Sequence, residues 1–541
     1  MIKLQPIFFS LLFITLQVYA QQPHVSKAWV ADQKNGTYKN PILHADYSDP
    51  DVIRVGDDFY MTASSFHAAP GLPILHSKDL VNWNLIAYAL PQQLPADHFS
   101  AVQHGNGVWA PSIRYHKGEF YIYYPDPDFG IYLTKAKNIQ GPWSISVLVE
   151  AGKGLIDPCP LWDKDGKAYL VHAYAGSRAG IKSIIVIKPM NAAGTATTGA
   201  GRLVYDGHAT DPTIEGPKLY QRNGYYYIFA PAGGVSTGWQ LVLRAKNIYG
   251  PYERKVVMDQ GNTNINGPHQ GAWVNTTTGE DWFLHFQDKE AYGRVVHLQP
   301  MQWKNDWPII GVDADGDGKG EPVTTYKKPN IGKTYPVQTP PDSDEFNAEV
   351  LGLQWQWQAN AKATWHFMQP ANGTLRLFSD KQPDAAKNLW DVPNLLLQKF
   401  PAATFTATVK LKFSPNPKIA LERAGLVVMG LDYAGLMLKQ EKEQLQLIYV
   451  EAKAADKGTV ATEKIITTVP HDWVYLRVKV TAGAVCGFSY SIDNIRFNDA
   501  GISFTAQPGK WVGAKLGLFC TRATTTNDAG FLDADWFRVT E

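Results

Sequence analysis

The 541 residues of this chain are enough for two domains, and 45% hydrophobic with 19% charged residues is the composition of an ordinary globular protein. A formal net charge of +1 at pH 7 argues against nucleic acid and against an anionic membrane surface as partners. The 17 Trp, 26 Tyr and 23 Phe residues suit sugar binding and suit an all-β core equally well, so the aromatic content alone decides nothing.

Residues 1–20 have the features of a secretory signal. Lys3 supplies the positive end, residues 7–18 the apolar run, and Val18-Tyr19-Ala20 a small-residue cleavage site. The apolar run is too short to span a bilayer, and no later stretch is long enough. No cysteine follows the cleavage site to carry a lipid anchor. We therefore expect a secreted or periplasmic protein without membrane insertion.

The chain has three cysteines, Cys159, Cys486 and Cys520. Three are too few for a disulfide framework, even in an exported protein. A Cys486–Cys520 bridge and buried free thiols are both compatible with the sequence.

Five units with the same sequence pattern occupy residues 40–328. Each begins at a proline turn, continues into a short run of β-branched or aromatic residues, and reaches a tight turn. The starts lie about 50 to 60 residues apart, near the range of regular repeats that indicates a propeller. They are Asp49-Pro50, Trp109-Ala110-Pro111, Asp157-Pro158, Glu215-Gly216-Pro217 and Gly267-Pro268-His269. We therefore predict a five-bladed β-propeller with one unit per blade.

The unit starts also predict a functional site. In a propeller the strand at the start of each blade lines the central channel, so residues far apart in sequence converge there. That ring would hold Asp49, Asp157, Glu215 and His269, with Trp109 as an aromatic wall. Taken singly, Asp-Pro and Gly-Pro pairs are ordinary turns. Their shared register favours a catalytic site, because three carboxylates facing one channel are costly and two suffice for glycoside hydrolysis.

An acidic segment follows the last unit. Asp313, Asp315 and Asp317 have the D-x-D-x-D-G spacing that opens a calcium loop. The bidentate glutamate expected at the twelfth loop position is missing, since Thr324 stands there, and no helical pattern flanks the segment. A polar surface turn and a structural calcium site both remain open.

The rest of the chain predicts a second all-β domain. Residues 329–342 are rich in proline and have no strand pattern, which is typical of a linker. Within residues 343–541 the hydrophobic pattern alternates with a period of two at 405–413, 444–450 and 473–480. Many antiparallel strands without helical periods predict a β-sandwich of the jelly-roll, concanavalin-like type.

Several of these motifs together resemble glycoside hydrolase family 43. The resemblance rests on the run Tyr47 to Tyr60, on Trp109 to Tyr115, on Asp157-Pro158 and on Glu215-Gly216-Pro217. In members with a C-terminal sandwich it extends to Asp344 to Trp357 and Leu516 to Cys520. It implies a five-bladed propeller and an inverting mechanism.

The resemblance also implies a role for individual residues. Asp49 would be the general base, Asp157 a modulator and Glu215 the general acid. Phe66 and Trp109 would wall the terminal-sugar pocket, Arg294 would bond sugar hydroxyls, and His269 would lie beneath the site, in contact with a channel calcium through water. No cofactor is implied as a requirement, and structural Ca²⁺ is the one metal expected.

The expected function is removal of terminal α-L-arabinofuranosyl or β-D-xylosyl units, with arabinofuranosyl favoured, from plant cell-wall hemicellulose fragments. A chain acting mainly as a β-xylosidase is the first alternative. A non-catalytic sugar-binding propeller would not need a base, an acid and a modulator together. A protein-interaction propeller of the WD-repeat kind would carry periodic Trp-Asp blade ends, which this sequence lacks.

Overall fold

The computed structural model describes residues 23–541, so the predicted signal, residues 1–20, lies outside the described part. The first domain is a ring of five antiparallel sheets with four strands each, and the strands of each sheet pair in sequence order. The strands are Asp51–Val55, Asp58–Thr62, Gly71–Ser77 and Trp83–Leu90 in blade I; Ser112–His116, Glu119–Asp126, Gly130–Ala136 and Val147–Ala151 in blade II; Leu155–Trp162, Ala168–Tyr174, Ile184–Met190 and Arg202–Asp206 in blade III; Lys218–Arg222, Tyr225–Ala232, Trp239–Ala245 and Glu253–Met258 in blade IV; and His269–Asn275, Asp281–Asp288, Arg294–Lys304 and Trp307–Ile310 in blade V.

Blade IV shows how the local sequence sets the strand register. Its first two strands are joined by Asn223 and Gly224, whose φ angles are 50° and 74°. Asn-Gly tolerates positive φ at both central positions of a hairpin turn, and such a turn matches the twist of the strands. Arg222 therefore pairs with Tyr225, and the register continues to Lys218 opposite Phe229.

The two ends of the propeller domain are tied together. Strand Thr37–Lys39, before blade I, pairs antiparallel with strand Thr325–Lys327, after blade V. The buried Tyr38 hydroxyl donates a hydrogen bond to the Leu298 carbonyl of blade V. The ring is thus closed by chain segments that lie outside the blades.

The second domain is a sandwich of two sheets of mostly antiparallel strands. The first sheet has eight strands, which in spatial order are Gln356–Trp357, Leu395–Lys399, Lys515–Arg522, Arg423–Met429, Tyr433–Glu441, Gln444–Ala452 and Thr462–Val469, with Asp380–Lys381 parallel to Lys515–Arg522. The second has seven, in the order His366–Gln369, Thr374–Phe378, Phe531–Thr540, Phe405–Ser414, Val474–Thr481, Val485–Ser491 and Asn498–Thr505. The predicted all-β fold, a propeller followed by a concanavalin-like sandwich, is confirmed.

Helical structure is minor in residues 23–541. One four-residue α-helix spans Gly176–Ala179, and the 3₁₀ turns are His98–Ser100, Glu290–Tyr292, Leu389–Asp391 and Ala455–Lys457. None of the described helices has the length and apolarity to cross a bilayer. The three cysteines are free and buried, so the free-thiol alternative is confirmed and the Cys486–Cys520 bridge is not formed.

The propeller and the sandwich share one apolar cluster. Tyr292 of blade V packs within the main core of the sandwich. Its hydroxyl donates to the Ala403 carbonyl at 2.9 Å and accepts from the Ala484 N–H at 2.8 Å. Ala69 and Trp357 exchange two backbone hydrogen bonds across the boundary. This interface resembles the interior of a domain more than a contact between tethered modules.

The interface predicts that the propeller does not stand alone. A chain ending at Lys333 exposes the apolar face around Tyr292 and leaves the backbone groups of Ala69 without partners. We expect this truncated chain to aggregate, or to unfold at a markedly lower temperature than the whole protein. Size-exclusion chromatography and thermal unfolding measure both effects. A monodisperse truncated chain with an unchanged melting temperature would show that the sandwich is only an appendage.

Candidate active site

One pocket, of about 120 Å³, collects most of the predicted site residues. It lies where the starts of the blades meet. The predicted residues that line it are Asp49, Phe66, Trp109, Asp157, Glu215 and Arg294. His269 does not line it but lies directly behind Glu215, with Nε2 2.9 Å from Oε1. The convergence inferred from the repeat is therefore present in the structure.

The backbone is strained at three of these positions. Asp49, Asp157 and Phe66 have φ angles of 55°, 57° and 49°, in the left-handed region. Aspartate visits this region more readily than most residues, whereas for phenylalanine it is uncommon. Strained residues of this kind cost roughly 1–3 kcal/mol each and cluster at functional sites. Both aspartates stand directly before a proline. Asp49 lies just before the first strand of blade I, and Asp157 lies within the first strand of blade III.

Asp49 is held by hydroxyl donors. Its Oδ2 accepts hydrogen bonds from Ser48 and Ser64, and its Oδ1 lies 3.6 Å from Nη1 of Arg294. The same Nη1 donates to the Ser48 hydroxyl at 2.9 Å. Only 4% of Asp49 is exposed, so the carboxylate is fixed in position by these groups rather than by solvent.

Asp157 is buried beside a second carboxylate. Burial raises the pKa of Asp157 well above its ordinary value, and the negative charges of Glu215 and Asp49 raise it further. The Gly216 N–H, which donates to Oδ2 at 2.7 Å, acts in the opposite direction, as does the charge of Lys218. Asp157 therefore keeps a proton at pH values where an isolated aspartate has lost it.

Glu215 is the most accessible of the three carboxylates. Its side chain is 23% exposed, while Asp49 and Asp157 are nearly inaccessible. Its backbone N–H donates to the Pro231 carbonyl at 3.1 Å, which anchors the loop before blade IV. His269 fixes one carboxyl oxygen from behind, and the other is available to a bound molecule.

Lys218 places a positive charge beneath the carboxylates. Lys218 is 1% exposed, and its ammonium donates to the Pro111 carbonyl and to the Ser112 hydroxyl, both at 2.8 Å. Both partners are neutral, so the charge is not cancelled locally, and it lowers the pKa of Asp157 against the larger effect of burial. Sequence reasoning did not select Lys218, although it lies three residues after Glu215.

Aromatic rings form the wall of the pocket, and one comes from the sandwich. The rings of Phe66 and Trp109 lie 6.3 Å apart, and the ring of Trp511 lies 6.0 Å from that of Trp109. The Trp109 indole N–H donates to the Gly105 carbonyl at 2.8 Å, and the Arg294 guanidinium lies 5.9 Å from the Trp511 ring. Trp511 carries no repeat signal, because it belongs to a loop of the other domain, and sequence reasoning missed it.

A second layer of polar residues comes two positions after two of the carboxylates in sequence, at the start of strand Asp51–Val55 and within strand Leu155–Trp162. Asp51 follows Asp49, and Cys159 follows Asp157. Arg114 joins them, since its Nη1 lies 2.7 Å from Asp51 Oδ2 and its Nη2 lies 2.8 Å from Cys159 Sγ. Neither Asp51 nor Cys159 lines the pocket. This layer supports the floor and does not contact a ligand in the pocket.

The predicted calcium loop is a compact turn. Ligand atoms of Asp313, Asp315 and Asp317 lie within 4.8 Å of one another, and within residues 23–541 no other three metal-ligating side chains are this close. Lys319 lies 2.9 Å from Asp317, and backbone N–H groups of the loop donate to Asp313. These contacts fit a polar surface turn, and a calcium ion here stays a prediction.

The expected calcium near His269 also stays a prediction. Nδ1 of His269 is buried and has no hydrogen-bond partner among the described residues. No carboxylate other than Glu215 forms an ion pair with this histidine in the described part of the chain.

Comparison with known proteins agrees with this geometry. Residues 38–308 match the family model for glycosyl hydrolases family 43, and residues 343–540 match the model for the β-xylosidase C-terminal concanavalin A-like domain. The chain is 40% identical over 502 residues to a putative β-xylosidase of Xylanibacter ruminicola, covering 92% of this chain and 88% of the relative. It is 29% identical to a non-reducing end α-L-arabinofuranosidase of Bacteroides ovatus, covering 93% and 94%.

Among solved structures, a xylan β-1,4-xylosidase of Bacillus halodurans superposes with a TM-score of 0.81 at 25% identity, covering 93% of this chain and all of that one. The sequence matches and the structural match therefore both extend over the propeller and the sandwich. The chain belongs to glycoside hydrolase family 43.

Proposed function

We propose that this chain is an exported, exo-acting, inverting hydrolase that removes single terminal pentosyl units from plant hemicellulose fragments. The observation that carries the proposal is the convergence of Asp49, Asp157 and Glu215 in one pocket with aromatic walls. The predicted signal at residues 1–20 supports export.

The size of the pocket favours action on a chain end. At about 120 Å³ it is smaller than the roughly 300–1,000 Å³ typical of sites for drug-sized ligands. Trp109 and Trp511 line it together with the buried Asp157. A pocket of this size accepts one sugar ring, which fits the removal of a single terminal unit.

Asp49 is suited to be the general base. Ser48 and Ser64 occupy its Oδ2 and stabilise the carboxylate, which leaves Oδ1 to accept a proton from water. Asp49 belongs to blade I and Glu215 to the loop before blade IV, so the two approach the sugar from separate parts of the ring. A water between Asp49 and the anomeric carbon would attack opposite the leaving group and invert the centre.

Glu215 is suited to be the general acid, with Asp157 controlling its proton. Substrate entry removes water from the exposed Glu215 carboxyl, which disfavours the charged form. Asp157 keeps the Gly216 N–H and the nearby Lys218 charge when the sugar binds, and both favour its own carboxylate. The proton that Asp157 holds therefore moves to Glu215, where it faces the glycosidic oxygen. The negative charge on Asp157 then holds it there until transfer.

Two pentosyl groups are candidates. The β-D-xylosyl group comes first, because the Xylanibacter ruminicola relative at 40% identity is named a putative β-xylosidase. The α-L-arabinofuranosyl group, favoured from sequence resemblance, is the second candidate and is supported by the name of the Bacteroides ovatus relative. Both sugars present similarly placed hydroxyls to Arg294, so one pocket can accept either.

Product analysis tests the proposal directly. We expect incubation with xylo-oligosaccharides and with arabinose-decorated oligosaccharides to release only a free pentose, with its anomeric configuration inverted in the first minutes. Proton NMR identifies both the sugar and its first anomer. Release of longer fragments would contradict exo action, and the retained anomer as first product would contradict the role given to Asp49.

Leaving-group chemistry tests the assignment of Glu215. A sugar alkoxide needs protonation as the bond breaks, whereas a dinitrophenolate departs without it. Glu215→Gln should therefore lose about 10²–10⁴ in kcat/KM on oligosaccharides and keep much of its rate on a dinitrophenyl pentoside.

Asp49→Asn serves as the matched variant, because water must be activated whichever group departs. It should be severely impaired on both substrates. Equal losses for Glu215→Gln on the oligosaccharide and on the aryl glycoside would assign the acid role to a different group.

A further inference from the structure

A small cavity lies between the propeller and the sandwich, separate from the pocket just described. Its volume is about 20 Å³, which is room for one particle near the size of a water molecule. His67 and His104 line it from the propeller side, and Lys515 and Trp390 from the sandwich side. No residue lines both this cavity and the carboxylate pocket.

Lys515 brings a buried ammonium to this cavity. The residue begins strand Lys515–Arg522 and is 7% exposed, and its ammonium forms no hydrogen bond or ion pair with any residue of 23–541. The carboxylate of Asp46 is near enough to affect its pKa, yet it accepts the backbone N–H groups of Arg294 and Gly513 instead. Buried charges are normally paired, so a solitary buried ammonium indicates a missing counter-ion.

His67 supplies a second polar group without a partner. It is 3% exposed, and its Nδ1 is buried with no hydrogen-bond partner in the described chain. The neighbouring His104, whose ring centre is 4.7 Å away, already uses Nε2 in a 2.8 Å hydrogen bond with the Trp390 carbonyl. The cavity therefore contains an ammonium and an imidazole that can both donate, and no carboxylate lines it.

We propose that this cavity binds one small monovalent anion of the size of chloride, held by the Lys515 ammonium and by N–H of His67. The anion supplies the counter-charge that Lys515 lacks and the acceptor that His67 lacks. A water molecule can accept the same hydrogen bonds but brings no charge, which is the difference that an experiment can measure.

The position of the cavity links the anion to the pocket wall. Gly509, Val512 and Gly513 line the cavity and flank Trp511, while His67 follows Phe66 directly in the chain. An anion bound to Lys515 and His67 thus bridges the two segments that carry aromatic walls of the carboxylate pocket. It joins the two domains at the point where the sandwich completes that pocket.

The proposed site binds its anion more tightly at lower pH. Burial, together with the positive charge of Lys399 on the adjacent strand, lowers the pKa of Lys515 to about 7, against the opposing effect of Asp46. The anion needs the protonated ammonium, so its affinity rises as pH falls through that range. Burial lowers the pKa of His104 to about 4, against the opposing effects of its hydrogen bond to Trp390 and of the Asp456 charge, and burial lowers the pKa of His67 well below its ordinary value. His104 thus stays neutral between pH 6 and 8.5, and burial favours the neutral form of His67 as well.

Thermal unfolding of the whole protein tests the proposal. Sodium chloride is compared with sodium methanesulfonate, whose anion is too large for the cavity, at equal ionic strength. A bound anion stabilises the folded state by mass action, so chloride should raise the melting temperature above that in methanesulfonate. The difference should be larger at pH 6 than at pH 8.5. Equal melting temperatures in the two salts at both pH values would overturn the proposal.

Lys515→Met should abolish the chloride-specific rise, while Lys479→Met, which removes an exposed lysine from the other sheet of the sandwich, should keep it. Crystals of the unmodified protein soaked in sodium bromide give a test that does not depend on the folding of a variant. We expect an anomalous bromide peak between Lys515 and His67. Density for a water alone in that cavity, with bromide bound elsewhere in the crystal, would contradict an anion site.

Discussion

Three carboxylates share one pocket, and the free-energy cost of removing their charges from water constrains much of this structure. Asp49 and Asp157 are almost inaccessible to water, so their charges must be met by protein groups or by a proton. Asp49 has two hydroxyls and Arg294, whereas Asp157 has one backbone N–H and the more distant Lys218. The difference leaves Asp157 with a raised pKa beside the more accessible Glu215, an arrangement that suits the acid role we propose for Glu215.

The same constraint explains why a ring of blades suits this chemistry. Each carboxylate comes from the start of a different blade, where a strained aspartate or a Gly-Pro turn directs it to the axis. No single strand or loop could present three acids to one sugar from different sides. The sandwich then completes the wall with Trp511, and the apolar contacts around Tyr292 keep it in place. The geometry of the active site therefore depends on how the sandwich docks against the propeller.

The features that the sequence predicted are those that local rules determine. The proline turns, the Asn223-Gly224 hairpin and the two-residue alternation specify strands and their register, and the repeat then places Asp49, Asp157 and Glu215 on one axis. Trp511, Lys218 and Lys515 were beyond such reasoning. Trp511 reaches the pocket only because the sandwich packs against the propeller. The two lysines matter because, among the described residues, neither forms an ion pair with a carboxylate. The sequence shows a lysine, but only the folded chain shows its burial and its partners.

Neutron diffraction from crystals near neutral pD locates the protons on the carboxyl groups and so tests the roles proposed for the three acids. We expect one deuteron held by the Asp157–Glu215 pair and none on Asp49, to which we assign the role of general base. A structure in which both members of the pair are bare carboxylates, or in which Asp49 carries the deuteron, would contradict these roles.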